Sequence, residues 1–155
     1  MAKDKKTAGV IAPPPIIFLA LLLAGVELDV LVPAPFLNDV VQAVLGSALI
    51  AMALGLVGWC IWLFRRAETP VEPYKPTLHL VESGPYGWSR NPIYLALVVA
   101  FLGAAFAIDT LWLFALAPLL VAALHWGVIL REERYLDELF GKAYGAYCQK
   151  VRRWI

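Results

Sequence analysis

Residues 92–133 read PIYLALVVAFLGAAFAIDTLWLFALAPLLVAALHWGVILREE, and the placing of charge in that stretch decides the fold. Between Pro92 and Leu130 the single Asp, Glu, Lys or Arg is Asp109. Apolar runs over 92–108 and 110–130 flank it, each close to the roughly 20 residues a helix needs to cross a hydrocarbon core about 30 Å thick. The Asp109-Thr110 break is too short for a domain linker, so the two runs predict a helical hairpin inside a membrane. Apolar character stops abruptly at Arg131-Glu132-Glu133.

Two more spans precede the hairpin. The first, 11–32, begins at Pro13-Pro14-Pro15, where proline suits a helix start. Its basic approach imitates a signal peptide, but no small-residue cleavage pattern follows convincingly, so it is read as a span. Pro33 and Pro35 break the chain, and the second span, 40–64, closes at Arg65-Arg66. Residues 67–91 are polar and irregular, with prolines at 70, 73, 76 and 85. The expected fold is an all-α integral membrane protein, one embedded domain over 1–155. It has about four transmembrane helices and an amphipathic cytosolic C-terminal helix over 131–148.

Composition agrees. The 155 residues are 61% hydrophobic and 16% charged, against about 45–50% and about 25% in soluble domains. Mean hydropathy is +0.73, which excludes a disordered chain. A net charge of +1 advertises no polyanion, so no nucleic-acid partner is expected. Four spans with a cytosolic N-terminus put 1–10, 65–91 and 131–155 on one side, and all 13 basic residues fall there. Glu27, Asp29, Asp39 and Asp109 fall on the other. That is the positive-inside pattern of a multi-pass protein with both termini cytosolic. Glu27 and Asp29 shorten the first span or line a cavity.

The segment after the hairpin differs in kind. As a helix continuing the fourth span, it carries Glu132, Leu136, Leu139, Phe140, Ala143, Tyr144 and Tyr147 on one stripe. Arg134, Asp137 and Glu138 take the other face, and the stripe runs back through Ile129 to His125. Glu132 is thus a carboxylate on a buried face, while Glu133 points about 100° away. A buried carboxylate is paired or serves a ligand. Either Glu132 salt-bridges Arg90 or Arg65 and staples the helix to the bundle, or it is a binding group. Residues 77–94, TLHLVESGPYGWSRNPIY, form the second unusual cluster. They are a capped connector or a binding loop, with turn chemistry at Ser83-Gly84-Pro85-Tyr86 and Asn91-Pro92 opening the next helix.

Together, Ser83-Gly-Pro-Tyr-Gly-Trp-Ser-Arg-Asn-Pro-Ile-Tyr94 and Arg131-Glu-Glu-Arg-Tyr-Leu136, followed by Phe140-Gly-Lys-Ala-Tyr144 and Tyr147-Cys-Gln-Lys-Val-Arg-Arg-Trp154, resemble the isoprenylcysteine carboxyl methyltransferase family. That family is related to the phospholipid N-methyltransferases. The resemblance covers about residues 77–155. It implies a membrane methyltransferase using S-adenosylmethionine, with S-adenosylhomocysteine as product. Carried over residue by residue, it implies that His79, Leu80, Val81, Tyr86, Asn91, Pro92, Ile93, Tyr94 and Glu132 bind the cofactor. Glu132 matches the cofactor-contacting member of the family's glutamate pair. Arg90 either orients an anionic substrate or marks the cytosolic side, and with Glu132 makes the candidate catalytic pair. One departure stands out: the family usually has histidine where this chain has Asn91, which hydrogen-bonds but cannot titrate near neutrality. A titrating role there would fall to His79 or His125, the latter read as a structural histidine or a substrate-pocket group.

Cys60 and Cys148 have no metal-ligand spacing, and no metal is expected. Gly46, Gly55 and Gly58 permit close helix packing, within the chain or in a homodimer through the second span. Trp59, Trp62, Trp112 and Trp154 read as interface residues. Membrane lipids and an apolar substrate are the expected partners. Three functions follow: methylation of a lipidic carboxylate, methylation of a lipid amine or a thiol, or a non-enzymatic role in which the motifs merely pack.

Overall fold

The computed structural model describes residues 8–72 and 75–155; the basic segment 1–7, with Lys3, Lys5 and Lys6, lies outside them. The described residues form α1 (Pro14–Leu31), α2 (Asp39–Arg66), α3 (Pro92–Ile108), α4 (Leu111–Leu124), α5 (Leu130–Phe140) and α6 (Lys142–Lys150), with no strand among them. The protein is all-α. Among the described residues three helices are long and apolar enough to cross a membrane: Pro14–Leu31, Asp39–Arg66 and the continuous Leu111–Phe140. The third expected span, α3, is apolar but has 17 residues, as the run over 92–108 has. It is cut short by Asn91-Pro92 and Asp109-Thr110, at the lower end of what a crossing requires.

Each end has a local cause. Asn38 caps α2, its side chain accepting from Val41 N at 3.1 Å, and Arg65 and Arg66 sit favourably in the last turn. Asp109 ends α3 in the left-handed conformation, φ +57°, and Thr110 caps α4 by accepting from Trp112 N at 3.3 Å. These two residues make the hairpin turn. A π-helical segment, His125–Ile129, joins α4 to α5. Residues 131–140 include six charged side chains, so the apolar span ends at Leu130 although the helix runs on.

The expected single helix over 131–148 is corrected here. It breaks at Gly141, which takes φ +50° in open space. A backbone that L side chains rarely adopt fixes this glycine, not crowding.

α2 packs most extensively on α3, and α4 sits against both α1 and α3. Phe101, Leu113, Leu120 and Leu124 are fully buried at the centre. Gly46 is where α2 comes closest to α3: a Cβ there would lie 2.7 Å from the Ala107 backbone. Gly46 therefore serves packing inside the chain, whereas Gly55 and Gly58 face open space. At the Asp109 end, Phe114 meets Phe36 and Phe106 edge-to-face at 5.4 and 5.0 Å, and Phe36 lies tilted against Phe106 at 6.1 Å. Asp109 accepts from Phe36 N and Leu37 N at 3.0 Å each. Asp29 accepts from Ala34 N at 3.1 Å, so it ties the loop rather than lining a cavity, and Glu27 is exposed.

Candidate active site

At the opposite end of the bundle, the end of α2, residues 77–81, a 3-10 turn at Gly84–Gly87, the start of α3 and the α5–α6 pair converge. They enclose a cavity with about 820 Å³ of space, open mouth included. Of the residues nominated from sequence, His79, Leu80, Val81, Tyr86, Arg90, Asn91, Ile93, Tyr94 and Glu132 all border it. Pro92 does not; it is buried in the first turn of α3 and sets the helix start. His125 lies elsewhere, in an outer groove with Pro118 and Trp126, and its ring stacks on Trp154 at 6.4 Å. Trp154 is therefore a packing partner of His125.

The walls are fixed by local chemistry. Gly84 takes φ +59°, and a Cβ there would lie 2.9 Å from Leu63, so the turn sits directly on α2. This brings the Tyr86 ring edge-on to Phe64 at 5.4 Å, while the Tyr86 carbonyl accepts from the Tyr147 hydroxyl at 2.7 Å. Burial, above all, holds the phenols of Tyr86, Tyr144 and Tyr147 above their ordinary range, so they are neutral donors. The strip carrying His79 is held by two groups that sequence reading missed. Buried Thr69 Oγ1 accepts from Leu78 N at 2.8 Å and His79 N at 3.4 Å, and the Tyr135 hydroxyl accepts from Thr77 N at 3.1 Å. Thr69 has no neighbouring motif that would have signalled it, and Tyr135, although inside the Arg131–Leu136 motif, lies off the stripe drawn through Glu132.

The adjacent glutamates part company here. Glu132 faces the cavity and receives one hydrogen bond among the described residues, from the Tyr94 hydroxyl at 2.5 Å. Neither Arg90 nor Arg65 pairs with it, so the stapling ion pair is not formed. Two residues beyond the apolar span, its carboxyl is pushed up to about 7, by burial against the opposing effect of the Tyr94 hydrogen bond. Glu133 is saturated instead. Arg153 grips it with two bonds, Nε at 2.9 Å and Nη2 at 2.8 Å, and Arg90 Nη1 stands 3.2 Å away. Arg90 Nη1 also donates to Cys148 Sγ at 2.6 Å, while its buried Nε has no partner among the described residues. Arg90 is thus committed largely to Glu133. Asn91 Nδ2 donates to the Arg153 carbonyl at 2.9 Å. That bond needs only an N–H, which an asparagine amide supplies.

A family model for phospholipid methyltransferases matches residues 41–143. The chain belongs to the phospholipid methyltransferase family. The matched segment starts in α2 and ends just past Gly141, so it includes the loop and the glutamate pair but not Tyr144, Tyr147 or Arg153. No curated relative matches the chain. Membership implies methyltransferase activity, and the apolar helices make this a membrane protein. For such a methyltransferase the cavity at the polar end of the bundle is the candidate active site. Among the described residues no cluster of side chains suited to a metal ion is present.

Proposed function

We propose that this chain is an S-adenosylmethionine-dependent methyltransferase whose acceptor is an apolar molecule drawn from the membrane, with a lipidic carboxylate as its substrate. The observation that carries the reading is Glu132, a half-buried carboxylate that faces a cavity and has, among the described residues, one phenol partner and no cation. Such a group is costly unless something positive or hydrogen-bonding completes it. The cofactor's ammonium or ribose hydroxyls would do so.

S-adenosylmethionine, when bound, supplies a methyl group already activated on a sulfonium sulfur. What remains for the protein is alignment and the exclusion of water. Glu132 would bind, Tyr94 would hold the Glu132 carboxylate in place, Tyr86 would pack alongside, and Phe64, Ile93 and Leu136 would keep the wall dry. A carboxylate acceptor suits this site because it needs no general base. Arg90 and Glu133 are tied to each other, which leaves Glu132 as the carboxylate of the pair that has no cation among the described residues.

The second reading, a lipid amine, is favoured by the family match. We further propose that the site faces the cytosol. In support, every described basic residue belongs to the site end of the sequence pattern, and Gly9 O meets Arg131 at 3.1 Å there.

The test is calorimetric titration of purified protein with S-adenosylmethionine, followed by labelled-methyl assays. Acceptors would be prenylcysteine analogues, phosphatidylethanolamine and thiols. Binding with base-labile label on the carboxylate acceptor is expected. Label on phosphatidylethanolamine alone selects the second reading. No heat of binding ends the catalytic reading.

A further inference from the structure

Residues 151–155 follow α6 and fold back across the site. Arg90 N donates to the Arg152 carbonyl at 3.0 Å, and Asn91 Nδ2 donates to the Arg153 carbonyl at 2.9 Å. The tail therefore lies along the loop just before α3. From the same residue, the Arg153 side chain crosses to α5 and takes Glu133 in a two-bond grip. Arg153 thus touches one wall of the cavity with its backbone and another with its guanidinium. Planar two-point pairing of this sort fixes direction as well as distance.

The consequence reaches Glu132. Asn91 opens α3, and one turn on, Tyr94 donates to Glu132, the residue beside Glu133. The contacts close a ring: Glu132, Tyr94, Asn91, Arg153, Glu133 and back to Glu132. Clamping Glu133 on one side of α5 sets the rotation of that helix, and so the direction of Glu132 about 100° around it. The clamp is mostly shielded from water, with side-chain exposure of 14% for Glu133 and 13% for Arg90. Arg153 is the more open partner at 38%.

We propose that Arg153 and Glu133 are positioning residues of the cofactor site, so that the segment after α6 is a functional part of it. This rests on the S-adenosylmethionine reading above. Neither residue touches the ligand in this scheme; they act through Glu132 and Asn91.

The experiment compares R153M, R153K and R152M in the full chain, with cofactor affinity by calorimetry, steady-state kinetics and circular dichroism. Arg152 is exposed and lends only its carbonyl, so its variant controls for lost tail charge. R153M should weaken cofactor binding about tenfold and raise the cofactor KM more than it lowers kcat. R153K should recover part of the affinity, and R152M should bind within twofold of wild type. Unchanged affinity in R153M overturns the proposal, as does an equal loss in R152M. If R153M does not fold, E133Q is read by the same criteria: a tenfold loss supports the role and affinity within twofold overturns it. Wild-type protein that binds no cofactor refutes the function itself, a result distinct from a binding wild type with an indifferent R153M.

Discussion

The two ends of the bundle handle carboxylates in opposite ways. At the Asp109 end the acids are consumed by backbone: Asp109 takes two amides of the 33–38 loop and Asp29 takes a third. Aromatic edges fill the rest, and that end is a closure. At the other end Glu133 is equally saturated, by two guanidiniums, but its neighbour Glu132 keeps a single phenol. Beside the satisfied Asp29, Asp109 and Glu133, Glu132 stands incompletely partnered at the cavity. The contrast separates carboxylates that hold the fold from the one available to a ligand.

Four measurements bear on this contrast. The largest effect should come from Glu132→Gln, which keeps the shape but removes the charge. Cofactor affinity should fall about a hundredfold or more, since deleting one partner of a buried charged contact costs about 2–5 kcal/mol. Helicity should be retained, and wild-type affinity in the variant would remove Glu132 from the site.

The pH dependence is next. Burial holds the Glu132 carboxyl at about 7, so the ionised form that a cationic ligand requires is present above that value and lost as pH falls through it. Affinity should drop roughly tenfold between pH 7.5 and pH 6, and this slope should vanish in Glu132→Gln. In the ligand-free protein the sign reverses. A carboxyl raised from 4.5 binds its proton more tightly folded than unfolded, so its contribution to stability is full below 4.5 and lost as pH rises toward 7.

Tyr94→Phe should weaken binding by severalfold, the loss of one hydrogen bond to a charged group that retains its other contacts. Tyr94 buries its ring, so the variant should melt near the wild type. Smallest at the site, and largest away from it, is Asp109→Ala. It should lower stability by about 1–2 kcal/mol through the loss of two amide contacts and the left-handed cap. Cofactor affinity should not move. A binding defect in this variant would show that the ends are coupled, and the contrast drawn here would fail.

Scarcity of charge made much of this readable from sequence. The four apolar stretches, the Asp109 turn and the choice of Glu132 over Glu133 follow from so few ionised groups that each position carries weight. Thr69 was out of reach because it works through its hydroxyl on amides nine and ten residues away, a contact that no local pattern signals. Arg153 was hidden in a run of basic residues that also reads as ordinary cytosolic charge. Arg90 was nominated for a substrate, but its partner Glu133 is visible only once α5 and the loop are brought together. The bounds of the short α3, Pro92 and Ile108, coincide with the turn residues that end the apolar run in the sequence.

Gly141 has one more consequence. Tyr135 and Tyr144 are nine residues apart, and in an unbroken helix nine steps of about 100° would leave them on opposite sides. Both line the same cavity. The interruption at Gly141 resets the angular phase, so two short helices can present differently timed faces to one target. A stripe drawn through a single helix necessarily omits Tyr135, as it did here. Any substitution that restored a continuous helix would swing Tyr144 and Tyr147 out of step with Tyr135 and open the cavity wall without removing a single contact-making residue.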